Sequence, residues 1–420
     1  MKPCCIDLFS GCGGISLGLE RAGFQPLLFS EINDHAAASY LANRPNGVVR
    51  VKDIAELSNA RIEELKIEWR AKHGIDRVDL ITGGPPCQGY SGIGHRRTFK
   101  LDKSAVPANR LFKEMVRVVG GFRPRIFLFE NVAGLLTSTW TRDGTGGSIF
   151  QEIVRTFRAL SDYDVRWQLV SAGDYGVPQN RPRVLLVGVL KDLGVSVPPE
   201  KTDVRTVIAP TAIEDGLLPP PTGNPAPSIE AILGDLVDPN FQYGGETTQY
   251  PQSAKTEIQR QLRKKKGGKR AQKVGAPLSE HKYSNHHLEI RRKFRHMIEH
   301  GGAIPEAMQT KKFAQRVLPR EWDKDGPSIT VTSMPDDYVH YSQARSLTVR
   351  EWARLQTFPD WYRFAGPRTT GGRRRAGDPS KGIWERDLPR YTQIGNAIPV
   401  ELAFHIGRHL LRLIRHHGDK

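Results

Sequence analysis

The sequence predicts an α/β fold built on a largely parallel sheet, and three observations carry that prediction. From residue 1 to about 190, short β-rich runs alternate with helix-like segments, the pattern of strands joined by crossover helices. The runs are unbroken apolar stretches of about four to seven residues, as strands covered on both faces require. With 38% hydrophobic and 25% charged residues among 420, the chain has a globular composition and room for two or three domains.

Taken in order, CCIDLFS is the first strand and ISLGLERAG the helix behind it. PLLFSE and HAAASYLAN repeat the unit, and VDLITGG, RIFLFENV and RPRVLLVGVL supply further strands. After Leu190 prolines cluster in VPPE, Ile208–Pro210 and LPPPTGNPAPS, which breaks the alternation and places a boundary near 195–225. Between Lys255 and Arg295 fourteen Lys/Arg stand against three Glu, including RKKKGGKR at 263–270. Its paired glycines mark a basic loop rather than a helix. A third texture begins near Arg345, where SLTVREWARLQTFPDW reads as a helix with Thr348 as N-cap and Glu351 at the capping-box position. ELAFHIGRHLLRLIRHH closes the chain as an amphipathic helix, and no internal repeat is visible. The expected division is 1–200, 201–340 and 341–420.

Lysine and arginine exceed acids by 62 to 45, a net charge of +17, which points to a polyanionic partner, nucleic acid ahead of a membrane. No apolar run approaches the roughly 20 residues of a membrane-spanning helix. The N-terminus turns polar and glycine-rich within ten residues, so no secretory segment is expected and the cytoplasm is the expected location. Cys4, Cys5 and Cys12 crowd the first dozen positions while Cys87 stands alone. Without a CxxC pair, neither zinc nor disulfides are expected, and no metal is assigned.

Four constellations carry chemistry. In DLFSGCGGISLGL a strand runs into Gly11, Gly13 and Gly14 and then a helix, and Glu31 ends the next strand. Such glycines let a ligand approach the backbone, and the carboxylate can accept ribose hydroxyl protons. Ser16 stands where the dinucleotide fingerprint needs its third glycine, so a nucleoside site is better supported than a pyrophosphate site; a purely structural turn is the alternative. GGPPCQGYS puts Cys87 at or just past the carboxyl end of a strand, where open α/β sheets bind ligands. The two prolines fix the backbone ahead of the thiol, a group that is mostly protonated at neutral pH yet strongly nucleophilic; a buried, inert cysteine is the alternative. Glu130 and Asn131 cap RIFLFENV on the same rim, Glu130 reading as an ion-pair partner, a helix cap, or a proton donor whose pKa burial raises. In QNRPRV, alternation sends Gln179, Arg181 and Arg183 to one face, suited to phosphate or base-edge contact.

In this order the segments resemble the DNA (cytosine-5)-methyltransferase family, and the likeness covers most of the chain outside roughly 195–325. It implies a Rossmann-like S-adenosylmethionine-dependent methyltransferase sheet with a smaller, irregular target recognition domain. DLFSGCGG resembles the S-adenosylmethionine loop, which brings Phe9, Gly11 and Gly13 to the cofactor; Glu31 resembles the ribose-binding acid and Asp53 in VKDI the adenine-contacting acid. Pro86, Leu111 in NRLFKEM and Asn396 in the IGNA turn complete the expected cofactor contacts. GGPPCQGYS resembles the nucleophile motif, Glu130-Asn131-Val132 the ENV motif, and Gln179, Arg181 and Arg183 the Q-x-R-x-R motif. TVREWARLQTFPD resembles the segment that supports the recognition domain, and QIGNAIPVELA the C-terminal motif that returns to the cofactor pocket.

The resemblance implies methyl transfer to C5 of a flipped-out cytosine, with Cys87 attacking C6 and Glu130, Arg181 and Arg183 forming the rest of the catalytic set. The basic stretch Gly89–Arg110 would close as a lid, with Gln88, Ser91, Arg97 and Gln179 as DNA contacts. Residues from about 200 to 340 match no family motif and are expected to read duplex DNA, the basic run meeting phosphates. Asn285-His286-His287 reads as surface or packed histidines rather than a metal site or a base reader. The expected enzyme is a monomer on double-stranded DNA at the nucleoid, either separate from a cognate restriction endonuclease or solitary. A nicotinamide- or flavin-dependent oxidoreductase fails on Ser16 and leaves Pro-Pro-Cys unexplained. A binding module without catalysis leaves Cys87 and Glu130 idle, and the basic insert favours duplex DNA over RNA.

Overall fold

The structure, a computed structural model, describes residues 2–44, 47–86, 106–141, 144–197, 216–309, 315–321, 337–369 and 387–417. Seven strands form one sheet: β1 (Cys4–Leu8), β2 (Gln25–Ser30), β3 (Val49–Val51), β4 (Leu80–Gly83), β5 (Ile126–Val132), β6 (Tyr163–Ser171) and β7 (Pro182–Leu190). Their order is β3-β2-β1-β4-β5-β7-β6. Neighbours among β1 to β5 are parallel, whereas β7 runs antiparallel to both β5 and β6. The reversal follows from chain length. Parallel neighbours need a crossover of about a dozen residues or more, and only the short turn containing Ala172–Tyr175 separates β6 from β7.

The expected α/β class holds, with a Rossmann-like sheet of mixed rather than purely parallel strands. Helices α1 (Gly14–Ala22), α2 (Asp34–Ala42) and α3 (Asn59–His73) follow β1, β2 and β3. Asn33 starts α2 by accepting the His35 and Ala36 amides on its Oδ1, both at 3.1 Å. The final helix, Val400–His417, comes back onto α1. Small residues make the approach possible: a Cβ on Gly18 would lie 2.4 Å from the Ala403 Cβ. Ile398, Leu402, Ile406 and Leu410 thereby join the same core as β1 and β4.

A second core gathers Ile229, Ile232 and Leu233 around the helix Val349–Leu355, and it reaches the sheet domain through Cys12 and Leu17. Thr348 and Glu351 form the expected capping box, Glu351 N to Thr348 Oγ1 at 3.2 Å and Thr348 N to Glu351 Oε2 at 2.8 Å. This helix is buried along its whole length, charged residues included. Arg354 pairs with Asp235 at 2.5 Å and Asp360 at 2.6 Å, and Glu351 with Arg345 at 2.7 Å. In the basic run, Arg263 is fully buried against Asp235 at 2.6 Å, while Lys265 to Arg270 are exposed beyond a single bridge between Lys264 and Ala271. No helix among the described residues is long and apolar enough to cross a membrane.

Candidate active site

The loop after β1 is shaped by residues in the left-handed region, Phe9 and Gly11 at φ +55° and Gly13 at φ +88°. Phe9 has a Cβ and still adopts this backbone, with its amide on Ser30 Oγ at 3.2 Å; strain of this kind clusters at ligand sites. Gly11 donates its amide to Glu31 Oε2 at 2.9 Å, and Glu31 Oε1 accepts the Asn33 amide at 2.8 Å. Burial pushes the Glu31 carboxyl up, opposed by those two amides and by Arg50. A Cβ at Gly11 would meet nothing within 4 Å, so open space borders the loop beside Glu31. Gly14 differs, since a Cβ there would lie 2.5 Å from the Ile398 carbonyl oxygen.

Ile32, next to Glu31, is 65% exposed. A carboxylate with spare lone pairs, an exposed apolar side chain and an open glycine edge fit a nucleoside. Ile32 escaped the sequence reading because nothing in a periodic pattern marks one exposed isoleucine. Asp53 is exposed, and its carboxylate accepts the Ala55 amide at 3.0 Å while capping a short turn with Glu56. Asn396 is exposed at the end of the helix Arg390–Asn396, and Leu111 is half-buried against the main core at the start of Leu111–Phe122. Ser16, in place of a third glycine, donates to the buried Asp7 Oδ2 at 2.5 Å and lies 2.9 Å from Tyr40 OH. Asp7 was also missed, although an acid inside CCIDLF is itself a signal.

At the ends of β4 and β5, Asn131 Nδ2 donates to the Pro85 carbonyl at 3.2 Å and so ties the ENV segment to the residues before Cys87. Pro86 is exposed. Cys87, Gln88, Ser91 and Arg97 lie outside the described residues, as does most of the expected lid. Glu130 Oε1 stands 2.7 Å from Arg183 Nε, the two side chains 13% and 10% exposed. The antiparallel register sets Val132 opposite Arg183, which leaves Glu130 two residues away on the same face. Gly84 makes room for the carboxyl, since a Cβ there would fall 2.8 Å from Glu130 Oε2. Burial pushes the Glu130 carboxyl up, while Arg183 and then Arg181 pull it down; the net direction is up.

Gln179 and Arg181 lie just before β7, and Arg181 acts on the Glu130 carboxyl together with Arg183. Gln179 is fully buried, its Nε2 donating to the Leu355 carbonyl at 2.7 Å and to Gln356 Oε1 at 2.8 Å. A DNA contact from Gln179 does not agree with that burial. Arg181 Nη2 donates to the carbonyls of Gly395 at 2.5 Å and Ala397 at 3.1 Å. His286 packs on Phe294 and accepts the Ser346 amide at 3.1 Å, as a packed histidine should. Among the described residues no cluster of His, Cys, Asp and Glu could hold a metal ion.

A family model described as C-5 cytosine-specific DNA methylase matches residues 4–412. The chain is 32% identical over 416 residues to the Type II methyltransferase M1.HphI of Haemophilus parahaemolyticus, covering 97% of this chain and 86% of that protein. It is also 32% identical over 412 residues to the Type II methyltransferase M.DdeI of Desulfomicrobium norvegicum, with 95% and 86% covered. Among solved structures, a candidate DNA modification methyltransferase encoded within an E. coli prophage superposes with a TM-score of 0.67 at 23% identity, covering 98% of this chain and 99% of the other. Spodoptera frugiperda DNMT2 superposes with a TM-score of 0.50 at 17% identity, covering 97% and 99%. At these identities the two structures speak to the fold alone.

Proposed function

From the premise that this chain belongs to the C-5 cytosine-specific DNA methylase family and is a DNA cytosine-5 methyltransferase like its Type II relatives, we propose that it works through a covalent adduct. Cys87 would add to C6 of a flipped-out cytosine within a specific duplex sequence, with S-adenosylmethionine as donor. The observation that carries this reading is the Glu130–Arg183 pair at 2.7 Å, on the rim where Asn131 holds the segment leading to Cys87. Action as a monomer, apart from any cognate endonuclease, belongs to the same reading.

Cytosine C5 is a poor nucleophile until something adds across the ring. Addition of the Cys87 thiolate to C6 pushes electrons toward C5 and N3. Glu130, in its acid form, hydrogen-bonds N3 and meets the exocyclic amine, which stabilises the developing negative charge. Arg183 holds O2 and keeps Glu130 oriented. S-adenosylmethionine, when bound, supplies an electrophilic sulfonium methyl. Phe9, Gly11, Gly13 and Glu31 would hold it together with Asp53, Pro86, Leu111 and Asn396, and the open edge at Gly11 beside the Glu31 carboxyl fits that role. After C5 is methylated, loss of its proton to water expels the thiolate and restores the aromatic ring. Flipping costs a few kcal/mol; Gln88, Ser91, Arg97 and the basic run would offset that cost through DNA contacts.

The test is transfer of labelled methyl from S-adenosylmethionine to duplex DNA, expected in the wild type and lost in Cys87→Ala. A duplex with 5-fluorocytosine at the target should trap a covalent complex, because fluorine cannot leave as a proton does. Equal activity in Cys87→Ala overturns the assigned nucleophile. Bisulfite sequencing of DNA from cells expressing the protein reads the recognised sequence.

A further inference from the structure

Three segments far apart in sequence meet at the fully buried side chain of Gln356. Its Nε2 donates to the carbonyls of Ile394 at 2.7 Å and Ala397 at 2.9 Å, and its Oε1 accepts Gln179 Nε2 at 2.8 Å. From the other side, Arg181 holds the carbonyls of Gly395 and Ala397. Two side chains from elsewhere in the chain therefore grip the turn that carries Asn396, whose own side chain is exposed. The same junction starts the final helix, because Val400 N donates to the Gln356 carbonyl at 3.0 Å and Glu401 N to Thr357 Oγ1 at 2.9 Å. Thr357 sits at φ +58° to do so. Just past the turn, the Ile398 carbonyl lies against Gly14 in the glycine loop. Where the Asn396 turn stands relative to that loop thus depends on a residue at the end of the helix that anchors the second core.

We propose that Gln356 is a positioning residue for the cofactor pocket, acting through the Gly395–Ala397 turn; this rests on the reading of the glycine loop as the S-adenosylmethionine site. Methionine at this position keeps the length but offers no N–H, so the turn is left with Arg181 and its own backbone bonds. Calorimetric titration of the full chain with S-adenosylhomocysteine, without DNA and well below the melting temperature, should show Gln356→Met binding about tenfold more weakly than wild type. Ser228→Ala, which removes the N-cap of the remote helix Ile229–Leu233, should lower the melting temperature and leave the affinity unchanged. If Gln356→Met melts lower yet binds as wild type does, its role is structural only and the proposal falls. If Gln356→Met does not fold, Arg181→Lys tests the same turn with a shorter reach: weaker binding supports the proposal and unchanged binding overturns it. No binding by the wild type overturns the reading of the glycine loop instead.

Discussion

Arg183 reaches Glu130 diagonally across the β5 and β7 pair at 2.7 Å, and its guanidinium and the burial of the pair pull the Glu130 carboxyl in opposite directions. Burial favours its neutral form and the guanidinium its charged form, with burial the larger effect. The proposed chemistry uses the neutral acid, so the rate should fall as pH rises through the Glu130 pKa.

Arg183→Met should therefore move that descending limb to higher pH, because a force holding the pKa down is gone, even as the rate drops by about 10² or more. Glu130→Gln cannot give up a proton and should lose about 10² to 10⁴ in rate and the limb itself. Single-turnover methyl transfer followed across a series of pH values measures both. A limb that stays in place in Arg183→Met would assign it to another group.

Asp7 makes a prediction about stability. It is fully buried, and burial pushes its pKa up to about 6 despite the hydroxyls of Ser16 and Thr82. The folded state therefore holds the proton more tightly than the unfolded chain, where the ordinary value is about 3.9. The associated stability is fully present below about pH 4 and lost as pH rises through about 6, a change of about 3 kcal/mol. Urea unfolding across this window should show the wild type losing that amount relative to Asp7→Asn, which stays neutral. Parallel pH profiles for the two would mean Asp7 does not titrate as described.

The strands legible in the sequence were the central ones, β1, β2, β4, β5 and β7, whose two covered faces demand unbroken apolar runs. In this seven-stranded sheet the two strands that escaped, β3 and β6, are its edges. One has three residues, and the other interleaves Arg166 and Gln168 with its apolar positions. The direction of β7 was hidden for another reason, since apolar pattern carries no sign. Glu130 and Arg183 were each legible as rim residues because they stand at strand ends, but their pairing was not, since it depends on the antiparallel register of β5 and β7. Gln356 was not: a polar residue in RLQTFPD reads as surface until the turn it grips is known.

Arg354 tests what fixes the second core. It is fully buried between Asp235 and Asp360, and Asp235 also holds Arg263 at 2.6 Å. Arg354→Met removes one charge and leaves Asp360 with Tyr250 OH at 2.8 Å and Arg350 at 4.0 Å. Breaking a buried pair from one side costs about 3 to 5 kcal/mol. Denaturant unfolding should show a loss of that size. A loss comparable to that of an exposed pair, below about 1 kcal/mol, would mean that water reaches the cluster.

The four cysteines should separate by reactivity. Cys4, Cys5 and Cys12 are buried, and burial pushes the thiols of Cys4 and Cys12 up to about 12 and that of Cys5 well above its ordinary value. Since the thiolate is the reactive species, these three should resist alkylation in the native protein near neutral pH. A Cys87 thiol that must meet an extruded base has to be open to solvent. Mass spectrometry after brief treatment with iodoacetamide should therefore find the label on Cys87, and on all four positions only in denaturant. Bound S-adenosylhomocysteine alone should protect Cys87 less than the cofactor product and a target duplex together, because the duplex supplies the base that covers it. Labelling of Cys12 ahead of Cys87 would instead mean that the glycine loop opens in solution, and it would remove the thiol at position 87 from its proposed place on the rim.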